Sequence, residues 1–233
     1  MARTPLLAAF AAPAVGTMVA LAAVSPPMHA AADSSLAAHM VQHLVLILAA
    51  APLMVLGHPV RALPAGFVRP IARRLPFARL GRHHLRLIAV GAWLLHVMTL
   101  WAWHTPRLYE WAVASPLAHA VEHGSLLLTA CAFWAAVFSR VLGSGGAVLY
   151  LFAAAGQSTA LGALLTLADA PWYAAHAGTV GAAGLTPLED QHIAGLIMWI
   201  PGGLSYAAVA LALLGRALRG GQRRDVVASP HES

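Results

Sequence analysis

Apolar stretches of about 18 or more residues, each long enough to cross a hydrocarbon layer about 30 Å thick as a helix, recur along almost the whole of this 233-residue chain. Six can be drawn, at about 5–24, 36–57, 85–104, 117–139, 147–168 and 192–215. An ordinary soluble domain carries roughly 25% charged residues on its surface, whereas here 60% of residues are apolar and 9% charged. The expected fold is all-α, a polytopic transmembrane bundle of about six helices. Residues 1–233 form one membrane-embedded domain, with 216–233 as a cytoplasmic tail. The links are Ser25-Pro26-Pro27, a basic loop at 58–84, a short loop holding Pro106 and Pro116, a Gly turn at Gly143 to Gly146, and a loop at 169–191. None is large enough for a separate soluble domain. The first span, with Arg3 ahead of it and small residues at Ala30 to Ala32 behind it, also resembles a cleavable signal peptide.

The arginines orient the bundle, because short cytoplasmic loops hold the positive residues. Arg61, Arg69, Arg73, Arg74, Arg79, Arg82 and Arg86 lie between spans two and three, and Arg140 follows span four. Arg216, Arg219, Arg223 and Arg224 follow span six, and Arg3 precedes span one. Only Arg107 falls on the opposite side. Both termini are therefore expected in the cytoplasm, with 25–35, 105–116 and 169–191 outside. The net charge of +6 sorts by membrane side rather than into a groove, so nucleic acid is not expected as a partner. The 61–86 stretch, with Ile71, Leu75, Phe77 and Leu80 among its arginines, suits the inner headgroup surface and anionic lipids. The lone Cys131 can make no internal disulfide and lies in an apolar run, as a small buried hydrophobe does.

Thirteen histidines are many for such a chain. On this topology His39, His43, His104, His119, His123 and His192 fall at the external ends of four spans, and His29 and His176 fall in external links. Two helix starts read alike, His39-Met40-Val41-Gln42-His43 and His119-Ala120-Val121-Glu122-His123. Residues i and i+4 share a helix face, so each pair aims two imidazoles at one point, at similar depth. One such pair is ordinary interfacial polarity. Two facing pairs, with His104 and His192 at the same level, point to a metal or haem site between helices. Glu122 and Asp190 are placed to orient imidazole N–H groups from behind; either also favours the positive N-terminus of its helix. His96 sits about 12 Å deeper than His104 and is either a functional intramembrane group or a neutral, hydrogen-bonded one. Imidazoles with Met28, Met40 or Met98 near them favour copper over magnesium or calcium, while zinc fits the histidines equally well. Gly156-Gln157-Ser158-Thr159-Ala160 carries a protease-like string, but Ser158 lies about 15 Å below His192. Ser158 and Thr159, with Gly156 and Gly162, read instead as helix-packing residues.

The ordered series of His39 to His43, Ala51-Pro52-Leu53, Trp103-His104 through Pro106 to Leu108-Tyr109, His119 with Glu122-His123, Pro171-Trp172-Tyr173, and Asp190-Gln191 followed by Ala194 to Gly203 resembles the caa3-type CtaG family. The resemblance runs from about Ala22 to Leu214, and the last string, AGLIMWIPGG, is its most specific part. It implies a non-catalytic, multi-pass protein of the bacterial plasma membrane that helps assemble cytochrome c oxidase, with the oxidase subunits as partners. It further implies copper as cargo, the histidines as ligands and a retained first span. Two other functions fit the histidines: a b-type cytochrome with haem between spans two and four, and a metal transporter.

Overall fold

The computed structural model describes residues 4–56, 81–139, 141–176 and 184–228. Eight helices carry the described chain: α1 (Thr4–Ala23), α2 (Pro26–Ser34), α3 (Leu36–Leu56), α4 (Arg82–Trp103), α5 (Pro106–Ala114), α6 (Pro116–Phe138), α7 (Gly143–Thr166) and α8 (Pro187–Ala228). Five are long and apolar enough to cross a membrane: α3, α4, α6, α7 and the Pro187–Arg219 part of α8. A sixth span is formed if α1 and α2 are taken together, as a pair bent by 48°. The all-helical bundle of about six spans read from hydropathy is the fold observed.

Helix starts are written locally. Ser25-Pro26, Thr105-Pro106 and Ser115-Pro116 each place an extended residue before a proline at the first helical position, where the missing N–H costs nothing and the fixed φ suits the helix. Ser35 and Ser115 also accept from the N–H of Ala38 and Ala118, which satisfies one of the unpaired donors at each helix start. Thr186 and Glu189 form a reciprocal cap at the start of α8: the Glu189 carboxylate accepts from Thr186 N at 2.8 Å and Thr186 Oγ1 from Glu189 N at 3.3 Å. The segments 25–35, 105–116 and 169–191, expected as links, are partly helical. The first two contain α2 and α5, and the third holds a 3-10 turn (Ala174–His176) and ends at Pro187, so Asp190 and His192 lie in the opening turns of α8. The glycines expected as a turn begin α7 instead, with Gly143 at φ +68°, a conformation that a side chain disfavours. Most of the expected interfacial stretch at 61–86 lies outside the described residues.

α3 is the centre of the bundle and packs against α1, α6 and α8; α4 packs on α6, and α7 runs along α8. The last pair approaches closely because Gly162 and Gly195 face each other: a Cβ on Gly162 would lie 2.8 Å from Gly195 O. Ser158 Oγ donates to Met198 O across the same seam at 3.1 Å, the packing role expected of it. Gly156, expected to share that role, instead faces open space.

Halfway along α3 the helix widens. Residues Val45–Ala50 form a π segment, in which Ala51 N donates to Leu46 O. The π partner of Ile47 O is residue 52, a proline with no N–H. That carbonyl accepts from Trp134 Nε1 of α6 instead, at 2.7 Å. The Ala51-Pro52 pair thus ties α3 to α6 one turn below His43.

The bundle is apolar outside as well as in its core, and its buried ionisable side chains lie inside that core. Leu94, Leu95, Met98, Leu128, Leu149, Phe152 and Leu211 point outward, while His39, Gln42, His43, His96, His104, Glu122 and His123 are buried. Lipid is the solvent that permits this arrangement, since ionisable groups in a spanning helix face the bundle interior. Met98 consequently points away from the histidines and cannot supply them a thioether.

Candidate metal centre

The two His-x3-His pairs meet as their spacing predicts. Within α3 the rings of His39 and His43 have centroids 4.4 Å apart, and within α6 those of His119 and His123 are 4.3 Å apart. Across the interface His39 stacks on His119 at 5.3 Å with 9° between planes, and His43 meets His123 edge-on at 5.3 Å. Glu122 lies among the rings rather than behind them. Its Oε2 is 3.5 Å from His39 Nε2 and 3.9 Å from His119 Nε2, and its Oε1 is 3.5 Å from His43 Nε2. Glu122, expected to orient the imidazoles from the rear, thus stands among the groups that could hold an ion. His39, His119, Glu122 and His123 each offer one ligand atom, and these four atoms lie within 4.8 Å of one another. A tetrahedral ion with bonds of about 2.0–2.1 Å holds its ligands about 3.3–3.4 Å apart, so closure on an ion asks for side-chain shifts of about 1 Å.

Most of the buried side-chain nitrogens and oxygens without a hydrogen-bond partner among the described residues belong to this cluster. His39 Nε2, both ring nitrogens of His43, His119 Nε2, His123 Nε2 and both carboxylate oxygens of Glu122 are buried without a hydrogen-bond partner. A buried polar atom left unsatisfied costs about 1–3 kcal/mol. Seven at one point, on one carboxylate and four rings that can each present one lone pair to a cation, are better matched to an ion than to packing.

A cover closes over this centre. Tyr109 of α5 is fully buried, with its ring 5.1 Å from that of His39 and 4.2 Å from that of Tyr173. Tyr173 donates its hydroxyl to His104 O at 2.9 Å, and Ala174 N donates to Glu110 of α5 at 3.0 Å. Burial raises both phenols above their ordinary range, with Glu122 adding to the effect, so both remain protonated. The ring of His104 donates from Nδ1 to Leu100 O at 2.7 Å.

The remaining expected residues divide. His104 adjoins the cluster, with its ring 5.9 Å from that of His43 and its Nε2 3.3 Å from Met40 Sδ. His192 does not join: its Nε2 lies 2.9 Å from Ala168 O, so it ties α8 to the end of α7. His96, deeper on α4, pairs its Nδ1 with Thr129 Oγ1 at 3.1 Å. Asp190 orients no imidazole. Its carboxylate accepts from Ser35 Oγ at 2.8 Å, Leu36 N at 2.6 Å and Ala37 N at 3.2 Å, so α8 caps the helix that carries His39 and His43. Gln191 beside it accepts from Trp172 N at 2.7 Å and donates to Leu165 O at 3.3 Å, which fixes the loop bearing Tyr173.

His29 belongs to the group although its sequence position suggested only an external link. The bend between α1 and α2 brings its ring to 4.8 Å from that of His119 and 5.7 Å from that of His123. With Asp33 and those two histidines it lines a cavity of about 750 Å³, otherwise walled mainly by apolar residues of α1, α3 and α6. Its i+4 spacing to Asp33 was the one available signal.

A family model described as cytochrome c oxidase caa3 assembly factor (Caa3_CtaG) matches residues 4–220. No curated protein and no solved structure matches the chain.

Proposed function

This chain belongs to the cytochrome c oxidase caa3 assembly factor family, and on that premise we propose that it handles copper for the oxidase, as a non-catalytic factor, through His39, His43, His119, His123 and Glu122. The observation that carries the reading is the convergence of unpartnered ring nitrogens and carboxylate oxygens in the interior of a membrane bundle. Imidazole is the commonest metal ligand, and the carboxylate offsets the charge of a bound cation. Copper is the cargo that the family resemblance implies, and a centre of nitrogen and oxygen donors also accepts zinc. Haem is disfavoured because the imidazoles stand ring to ring at 4.3–6.0 Å, which leaves no slot for a macrocycle between opposed axial ligands. Metal analysis of the full chain purified in mild detergent is expected to find copper. His123→Ala should lose most of it, and His83→Ala, at the start of α4, should retain it. Copper content unaffected by His123→Ala sinks the proposal, and a Soret band in the purified protein revives the cytochrome reading.

In the same proposal the histidine centre opens to the external face and both termini lie in the cytoplasm, beside inner-leaflet anionic lipids at 61–86. The support is the arginine distribution, with thirteen of fourteen on one side of the assigned spans. A reporter active only in the cytoplasm should work when fused after Arg224 and fail when inserted at Gly178. The reverse pattern inverts the topology and puts the centre on the cytoplasmic side.

A further inference from the structure

His104 and Met40 face each other in a way that hydrogen bonding does not explain. The Nδ1–H of His104 is committed to Leu100 O at 2.7 Å, so in the neutral ring Nε2 carries a lone pair and no proton. Its neighbour at 3.3 Å is Met40 Sδ, and a thioether sulfur has no proton to donate either. Two electron-pair donors therefore confront each other in the interior, at residues 2% and 1% exposed. The separation fits a shared ion: bonds of about 2.0 Å to nitrogen and about 2.3 Å to sulfur, set about 100–110° apart, leave the donor atoms about 3.3–3.5 Å from one another.

A third donor is at hand. His43 is 3% exposed with both ring nitrogens unpartnered, and its Nε2 faces Glu122 of the outer centre at 3.5 Å. The same side chain lines a small cavity of about 20 Å³ together with Met40, His104, His96 and Met198. That volume admits one water-sized occupant and nothing larger. Thr129 Oγ1 donates to Ser125 O at 2.8 Å, so it accepts from His96 Nδ1, which leaves the other nitrogen of His96 as a lone-pair donor in the ring lining the cavity's deep side.

We propose that Met40, His104 and His43 form a second, inner metal site, distinct from the carboxylate-containing outer centre and selective for a soft monovalent ion such as Cu(I). Thioether and imidazole without a carboxylate match a soft d10 cation, whereas the outer donors, with Glu122 among them, also suit divalent ions. His43 borders both sites, with Nε2 toward Glu122 and the ring on the inner cavity. Its neutral ring has one lone pair and serves one ion at a time, so with both sites filled the outer ion is held by His39, His119, His123 and Glu122. The inner site lies beside the outer centre on the α4 side of α3, above a cavity that reaches down to His96. It deepens the copper reading of the outer centre and rests on that reading only for the identity of the ion.

The test titrates Cu(I), held reduced and buffered by a competing chelator, into the full chain in mild detergent, and reads stoichiometry and the copper–sulfur contribution to X-ray absorption. The wild type should bind two ions with a sulfur neighbour in the signal. Met40→Leu, a near-isosteric change that spares the fold, should lose one ion and the sulfur contribution. Its loss of affinity at that site should be at least the ~10–100-fold that removal of a mere orienting partner causes. His119→Ala should lose the other ion and keep the sulfur. Unchanged stoichiometry and sulfur signal in Met40→Leu overturn the inner site, as does loss of both ions in His119→Ala. A single ion with sulfur, indifferent to His119→Ala, upholds the inner site and removes the outer centre. A single ion lost in His119→Ala and untouched by Met40→Leu does the opposite.

Discussion

Cells carrying His43→Ala or His123→Ala are expected to show oxidase activity lowered about tenfold or more while the oxidase polypeptides are still made, since loss of even a partner that only orients a ligand costs about 10–100-fold in metal affinity. The double variant should be little worse than either single one. The reason is geometric: α3 and α6 supply opposite walls of one centre, with ring contacts of 5.3 Å between His43 and His123, so under the proposed function removal of either wall releases an ion that needs both. Residues acting as a unit give non-additive effects. Added copper should partly restore activity, because a higher ion concentration refills a weakened site by mass action. His83→Ala is the control, about 31 Å from His104 along α4. Immunoblots of the membrane fraction establish that the variants are present at wild-type levels. If both variants mature the oxidase normally while deletion of the gene abolishes activity, the chain acts as a scaffold and not through its imidazoles.

Gly195→Leu should remove the protein from the membrane, or leave it unfolding at far lower temperature in detergent. A Cβ at Gly195 would overlap Thr166 Oγ1 and stand 2.5 Å from Gly162 O and 2.7 Å from Thr166 N. Two of those three atoms are backbone and cannot rotate away, so α7 and α8 must separate. Overpacking typically costs 1–3 kcal/mol, and about the upper end or beyond is expected where the obstacle is main chain. The damage should also reach the histidine cluster, since the first turn of α8 carries the Asp190 carboxylate that caps α3. Gly156→Leu, on the same helix pair with no atom within 4 Å of its added Cβ, should keep near wild-type abundance. Equal abundance of the two variants contradicts the close seam.

Much of the centre was legible because it is built from local periodicity. His39 with His43, and His119 with His123, share helix faces by spacing alone, and hydropathy places both pairs at the same end of their spans. His104 followed from its position at the end of a span. Glu122 was visible as a carboxylate in the layer, but its place among the ring nitrogens depends on how far α6 is rotated toward α3. That rotation is a product of packing and has no signature in a single helix.

His192 and Asp190 exchanged significance for the same reason. Two residues apart on α8 they point in different directions, and the close approach at Gly162 and Gly195 turns His192 onto the Ala168 carbonyl and Asp190 onto the start of α3. The partners of Asp190 lie more than 150 residues away in the chain, beyond any spacing argument. His29 was missed because a bend of 48° between α1 and α2 folds it over α6; the Ser25-Pro26 boundary announces a break, and the surrounding helices choose its direction.

The sequence by itself determined that the chain enters lipid, that it crosses as helices, where most of those helices begin, and which faces of α3 and α6 carry imidazoles. These follow from apolar length, from Ser-Pro and Thr-Pro boundaries and from the 3.6-residue period, all of which act within a few residues. Only the tertiary structure decided that Glu122 stands inside the ring cluster, that Met40 meets His104, that α8 caps α3 and that Tyr109 and Tyr173 close the cover. Each is a contact between helices distant in sequence. Its geometry is set by close packing at Gly16, Gly162 and Gly195, where the missing side chains let backbones approach and so fix the rotation of every neighbouring face.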